Sequence, residues 1–224
     1  MSPPLVIMDI GDVLIRTVPM AHYRELARRA GLAWEDVADR IESSGVVAAF
    51  ERGERTALAF VESVRKLLAQ PGLPASEIER AWNTVVAEPD PVLVPLAARL
   101  AAQRRLLLAS NTNPLHWRLV RTRLAGVGID VPAHLSFEIG YAKPDLRFFT
   151  ALCAAAPQAD GVAVYVDDRP ENVEAARRRG LAGWVHRTGR TRDLGVLGLT
   201  PDRARTGPPP GSPVRHLWVA PHPR

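Results

Sequence analysis

Lysine is nearly absent from this chain. Of its 29 basic residues only Lys66 and Lys143 are lysines, and all the others are arginines. Cysteine is scarcer still. Cys153 stands alone in an Ala-rich helical stretch, which excludes an intramolecular disulfide and suits a small core side chain. No apolar run approaches the roughly 18 residues of a membrane-spanning helix. Met1–Leu14 contains two aspartates and no basic stretch, so it does not read as a secretion signal. No run of five or more bases occurs. Arg28-Arg29 and Arg177-Arg178-Arg179 fall inside helical patterns and read as solvated faces rather than a nucleic-acid surface. The pI of 10.1 reflects the arginine bias, because the net charge is only +5. These absences predict a soluble, cytoplasmic protein without a nucleic-acid or membrane partner, and they leave the oligomeric state open.

What is present is a set of short apolar runs that end in polar groups. A chain of 224 residues, 46% hydrophobic, can bury a real core, either as one large domain or as a core with an inserted smaller one. Leu5–Met8 lead into Asp9, and Val162–Val166 lead into Asp167 and Asp168. Between them Leu106–Ala109 lead into Ser110, Asn111 and Thr112. Such runs read as buried parallel strands. In an open α/β sheet, ligands sit in the crevice outside the carboxyl ends of the strands. Parallel neighbours would therefore bring Asp9, Asp167 and Asp168 into one crevice. That much negative charge in a partly dry site calls for a cation, and a hard divalent metal with oxygen ligands answers it most simply. Hydroxyl, amide and main-chain donors at Ser110, Asn111 and Thr112 suit an anionic oxygen. Lys143, ahead of Pro144, supplies a compact point charge where this chain habitually uses the wide fork of Arg.

The pattern around these runs predicts an α/β fold: an open, mostly parallel Rossmann-like sheet with helices on both faces and a small inserted helical cap. Pro19–Ala30, Ala33–Ser43, Ala57–Leu68 and Ser76–Ala87 read as amphipathic helices, punctuated by Gly45, Gly53 and Pro71-Gly72. No strand pattern appears among them, so residues 17–88 are expected to form the cap, with 1–16 and 89–199 as the core. Val92–Gln103, His116–Ala125, Leu146–Ala155 and Glu171–Arg179 read as core helices, with short strands at Ala133–Phe137 and Gly183–His186. Residues 200–224 are rich in Pro, Gly and Arg and read as a tail, within which Val214–Val219 has strand-like texture.

Asp9, then Ser110-Asn111-Thr112, then Lys143-Pro144, then Asp167-Asp168, in that order and at strand ends, resembles the haloacid dehalogenase-like (HAD) hydrolase superfamily. The segments are MDIGDVLI, SNTNPLH, GYAKPD and VDDRPENVEAA, and the likeness covers about residues 4–190. FERGE, at Phe50–Glu54, is also similar to the cap of the sugar-phosphate phosphatases that resemble bacterial α-D-glucose-1-phosphate phosphatase. The resemblance implies that Asp9 is the nucleophile and forms an aspartyl-phosphate. It implies that Lys143 neutralises Asp9 and the phosphoryl oxygens, and that Ser110 and Asn111 hold a phosphate oxygen. Mg²⁺ would be bound by Asp9, the Gly11 carbonyl and Asp168, with Asp167 binding directly or through water. The plain alternative for both acids is a cap on the helix opening near Pro170. Thr112, Asn113 and His116 come next around the site. Asn172 either orients the acidic loop or faces solvent. Glu51, Arg52 and Glu54 are candidate readers of the leaving group, or a solvated helix end.

One position departs from the superfamily. Two residues after the nucleophile, most of its phosphatases carry a second Asp that protonates the leaving oxygen. This chain has Gly11, with the acid displaced to Asp12. Either Asp12, a cap residue or the substrate supplies that proton, or turnover is slow; Asp12 reads equally as a cap on the loop. The resulting expectation is a Mg²⁺-dependent phosphatase of a small phosphorylated metabolite, such as a sugar phosphate. Two rivals stand beside it: a 2-haloacid dehalogenase, which needs no metal, and a catalytically weak binding or regulatory protein on the same fold.

Overall fold

The structure is a computed structural model that describes residues 4–156 and 163–187. In chain order its elements begin with β1 (Val6–Met8), β2 (Ile15–Thr17), α1 (Ala21–Ala30), α2 (Trp34–Ser43), α3 (Val46–Glu51), α4 (Ala57–Leu67), α5 (Ala75–Trp82) and β3 (Val86–Pro89). They continue with α6 (Leu93–Ala102), β4 (Leu106–Ser110), α7 (Pro114–Gly126), β5 (Ala133–Leu135), α8 (Ser136–Ile139), α9 (Leu146–Ala155), β6 (Val164–Asp167), α10 (Pro170–Arg177) and β7 (Ala182–Val185).

Five strands form a parallel sheet in the order β5-β4-β1-β6-β7. Each central strand is buried on both faces, which explains its unbroken apolar run. Side chains alternate between faces. Val6, Met8, Leu106, Leu108, Val164 and Val166 join Leu96, Leu100, Val120 and Leu124 of α6 and α7 in one cluster. Ile7, Leu107 and Tyr165 join Phe148, Phe149, Leu152 and Val173 of α9 and α10 in another. Strand β1 lies in the middle, and the chain visits β4 and β5 on one side before β6 and β7 on the other. The crevice of such a sheet opens at the carboxyl end of β1. Register sets what meets there: Met8 pairs with both Leu108 and Val166, so Asp9 and Asp167 stand level, one step beyond.

Helices α1 to α5 build a separate apolar cluster that includes Tyr23, Leu26, Ile41, Phe50, Phe60, Ile78 and Trp82. Phe50 stacks on Phe60 with centroids 4.3 Å apart, and Phe60 lies 4.7 Å from Trp82. Such aromatic pairs add about 0.5–1.5 kcal/mol beyond their buried area. Leu115 of α7 belongs to this cluster, so it ties the five helices to the sheet.

Several elements differ from expectation. The segment Ser76–Ala87 is not one helix: α5 ends at Trp82, a 3₁₀ turn covers Asn83–Val85, and β3 then pairs antiparallel with β2. This two-stranded ribbon stands where the chain leaves and re-enters the sheet. Its strands are too short and too irregular to show alternation. Val46–Glu51 is a helix, bounded by Gly45 and Arg52, where the glycines suggested only punctuation. Ala133–Phe137 is a strand only to Leu135; Ser136 then opens α8. Helix α7 starts two residues earlier than expected, because Asn113 caps it through Oδ1, accepting from Leu115 N and His116 N, and Pro114 takes the first turn. The expected tail at 200–224, Val214–Val219 included, lies outside the described residues.

Candidate active site

Lys143 is the centre of the crevice. Its ammonium donates to Asp167 Oδ2 at 2.7 Å and to the Ala109 carbonyl at 3.1 Å, and it pairs with Asp9 Oδ1 at 2.8 Å. Its side chain is 1% exposed. Those three partners use its three protons. Burial alone would depress the Lys143 pKa, but Asp9 and Asp167 reverse this and hold it above its usual value. The ammonium is therefore charged.

Asp9 directly follows β1, and its main-chain N–H donates to Val166 O at 2.8 Å. Its Oδ1 accepts from Ile10 N at 2.7 Å and faces Lys143; Oδ2 takes neither contact. Burial raises the Asp9 pKa to about 6, with the Asp167 charge pushing the same way and Lys143 opposing. One carboxylate oxygen from each of Asp9, Asp167 and Asp168 lies within 4.8 Å of the others. Burial also raises Asp168, helped by Asp167. All of these are hard oxygen donors with too little positive charge among them, a set that fits a small divalent cation.

The two neighbouring acids play different parts. Asp167 Oδ2 accepts from Lys143 and from the Tyr165 hydroxyl at 2.6 Å; Oδ1 accepts from Arg169 N and Asn172 Nδ2, each at 2.9 Å. Four donors fill its lone-pair positions and hold its pKa below the usual range despite burial. Direct metal ligation by Asp167 would cost one of those bonds, whereas contact through water would keep all four. Asn172 orients the acidic loop rather than facing solvent. Tyr165 was missed, although its spacing of two from Asp167 on a strand puts both on one face.

Asn111 braces Lys143. Its Oδ1 accepts from Lys143 N at 2.7 Å, and its Nδ2 donates to Lys143 O at 2.9 Å. The amide thus clamps the Lys143 backbone through Oδ1 and one Nδ2 proton, and its second Nδ2 proton is left over. Ser110 is buried beside it, with Oγ making only a 3.3 Å contact to Asn111 O. Ser136 bridges both Thr112 main-chain groups at 3.0 Å and fixes the loop after β4. That residue carried no signal in the sequence.

Asp12 resolves as a loop cap. It adopts φ 51°, and its carboxylate accepts from Thr17 N at 2.9 Å and Thr17 Oγ1 at 2.7 Å. His116 is also engaged at both ring nitrogens, with Asn113 Nδ2 and the Trp82 carbonyl at 3.0 Å each. Its donors and acceptors assign the proton to Nε2, and burial drops its pKa to about 4. It is a neutral strut between α7 and α5.

Above the crevice lies a cavity of about 410 Å³. Asp9, Ser110, Lys143 and Asp168 line its floor, while Tyr23, Glu42, Glu51 and Trp82 line the wall contributed by α1, α2, α3 and α5.

The architecture is that of a Rossmann-like α/β protein with a cluster of carboxylates around one ammonium at the carboxyl end of the central strand. A family model described as haloacid dehalogenase-like hydrolase matches residues 3–180. The chain belongs to the haloacid dehalogenase-like hydrolases. No curated protein matches it at a significant level. Among solved structures, a HAD family enzyme from Bacteroides thetaiotaomicron, in complex with magnesium and inorganic phosphate, superposes with a TM-score of 0.72 at 21% identity, covering 84% of this chain and 96% of that one. A predicted HAD-like hydrolase from Porphyromonas gingivalis gives 0.74 at 20% identity, covering 89% and 98%. An L-2-haloacid dehalogenase gives 0.52 at 19%, covering 80% and 82%. At these identities the likeness is one of fold. Among the described residues, no helix is long and apolar enough to cross a membrane.

Proposed function

We propose that this hydrolase is a Mg²⁺-dependent phosphatase of a small phosphorylated metabolite, acting through an aspartyl-phosphate on Asp9. The observation that carries the reading is the carboxylate cluster around Lys143. One buried ammonium serves Asp9 and Asp167, while Asp168, beside them, has no such partner among the described residues and a raised pKa. Asp9, Asp168 and the Gly11 carbonyl would hold Mg²⁺, with Asp167 behind them. The ion would neutralise phosphoryl charge and lower the proton affinity of the Asp9 carboxylate. The Bacteroides structure with magnesium and phosphate supports the same ligand pair for a shared fold.

Asp9 attacks phosphorus in line, and the leaving oxygen departs toward the cavity wall. Lys143 holds the charge of Asp9 and of a phosphoryl oxygen. Ser110 Oγ is the hydroxyl donor for a second oxygen, and Asn111 acts by fixing Lys143. Water then cleaves the aspartyl-phosphate. Glu42 and the Trp82 ring give the wall an acceptor and an apolar face, which suits a polyol such as a sugar. This agrees with the sugar-phosphate branch.

The dehalogenase reading draws on the fold likeness to an L-2-haloacid dehalogenase and on the same Asp–Lys pair. Paired acids at Asp167 and Asp168 disfavour it, since carbon displacement needs no cation. Phosphate release from a panel of phosphorylated metabolites, with Mg²⁺ and with excess chelator, separates the two. Activity should require Mg²⁺, and Asp9→Asn should abolish it while the fold persists. Full activity in chelator, or a tenth of the wild-type rate in Asp9→Asn, would refute the mechanism.

A further inference from the structure

Expelling an alkoxide from phosphorus requires a proton donor. Most protic groups around the cavity are already committed. The Lys143 protons reach Asp9, Asp167 and Ala109 O. Asp12 is held by Thr17, and both ring nitrogens of His116 are occupied. The Tyr23 hydroxyl donates to Glu42. His22 is neutral, since burial lowers its pKa to about 4, and a neutral imidazole is a very weak acid.

Glu51 differs from all of these. It is the last residue of α3, half-buried, and lines the same cavity as Asp9. Among the described residues no hydrogen bond or ion pair engages its carboxyl. Its position is braced from the sheet side. Gly53, at φ +71°, presses against α8 so closely that a Cβ there would overlap the Phe137 carbonyl. The turn after α3 therefore rests on the core and holds Glu51 at the cavity wall.

We propose that Glu51 is the general acid of the first step, protonating the leaving oxygen from the cavity wall where Gly11 offers no side chain on the floor. This rests on the phosphatase reading. In the first step the Asp9 Oδ–P bond forms and the P–O bond to the leaving group breaks. The Glu51 proton passes to that oxygen and leaves a carboxylate. In the second step a water oxygen attacks phosphorus, the Asp9 O–P bond breaks, and both water protons leave with the phosphate as dihydrogen phosphate. Asp9 is freed as a carboxylate, and Glu51 regains its proton from solvent. The environment suits the role: burial first, then the Glu42 charge, raise the Glu51 pKa to about 6, while Arg169 and Arg52 pull against them. Tyr23 and Glu42 face it from α1 and α2, and Arg169 from the loop before α10.

The test compares an alkyl phosphate with p-nitrophenyl phosphate, whose leaving group needs no proton. Glu51→Gln should cut kcat on the alkyl ester by about 10²–10⁴-fold and leave the aryl ester near wild type. KM should change little. On the alkyl ester, wild-type kcat should fall as pH rises past about 6, and Glu51→Gln should lose that limb. Retained aryl turnover shows that the variant folds. Equal losses on both esters, or a rise in KM alone, would make Glu51 a structural residue or a substrate reader and overturn the proposal. A wild-type protein that releases no phosphate even from the aryl ester would instead overturn the phosphatase reading, and the proposal with it.

Discussion

Replacing Lys143 with methionine preserves most of the side-chain length and removes the charge. The ammonium lies 2.8 Å from Asp9 Oδ1 and 2.7 Å from Asp167 Oδ2, at 1% exposure. The variant therefore strands two buried carboxylates side by side. Removing one partner of a buried ion pair costs about 3–5 kcal/mol, because the remaining charge stays desolvated. In a chain of this size 1 kcal/mol moves Tm by about 2–4 °C, so a fall of about 6–20 °C is expected. Asp167 keeps Tyr165, Arg169 N and Asn172 as donors, which argues for the lower half of that range.

Thermal unfolding in excess chelator, followed from pH 5 to pH 8, measures this directly. Without Lys143 the folded-state pKa values of Asp9 and Asp167 must rise. A carboxyl whose folded pKa lies above its unfolded value contributes stability at low pH that is lost as pH rises through the folded pKa. The gap between wild type and Lys143→Met should thus be small at pH 5 and widen toward pH 8. Equal midpoints at pH 8, or a gap that widens on acidification, would refute the view that Lys143 neutralises this pair.

The core was legible because fully buried parallel strands leave a simple trace: an apolar run that stops at a polar residue. That trace placed Asp9, Ser110 and Asp167 at strand ends, and the parallel register brought Asp9 and Asp167 level. The scarcity of lysine singled out Lys143. What the polar residues do to one another was less legible, because it depends on loop geometry. Asn111 and Ser110 are adjacent in sequence, yet one clamps the Lys143 backbone and the other keeps its hydroxyl in the crevice. Asp12 read equally as a displaced acid or a loop cap, and only the fold brings Thr17 to both its oxygens. The β2–β3 ribbon joins residues some 70 positions apart, and three- or four-residue strands containing Pro89 show no alternation. Tyr165 could have been read, since strand period alone aligns it with Asp167.

Two further predictions bear on the metal and on Gly11. Mg²⁺ should raise the thermal midpoint of the wild type by relieving repulsion among Asp9, Asp167 and Asp168, and Asp168→Ala should lose that gain. An undiminished gain in Asp168→Ala would remove it from the ligand set. The second prediction uses the space at Gly11. A Cβ there would meet only Thr17 Cγ2, at 3.8 Å, so Gly11→Asp adds a carboxyl to the cavity floor without steric penalty at Cβ. In the Glu51→Gln background, Gly11→Asp should restore part of the lost alkyl-phosphate turnover while leaving aryl-phosphate turnover nearly unchanged. Rescue confined to the poor leaving group identifies the restored function as proton donation, because substrate binding or loop stability would move both esters together. No rescue in a variant that keeps full aryl turnover would mean that a carboxyl on the floor cannot reach the leaving oxygen, and that the proton must come from the cavity wall or not at all.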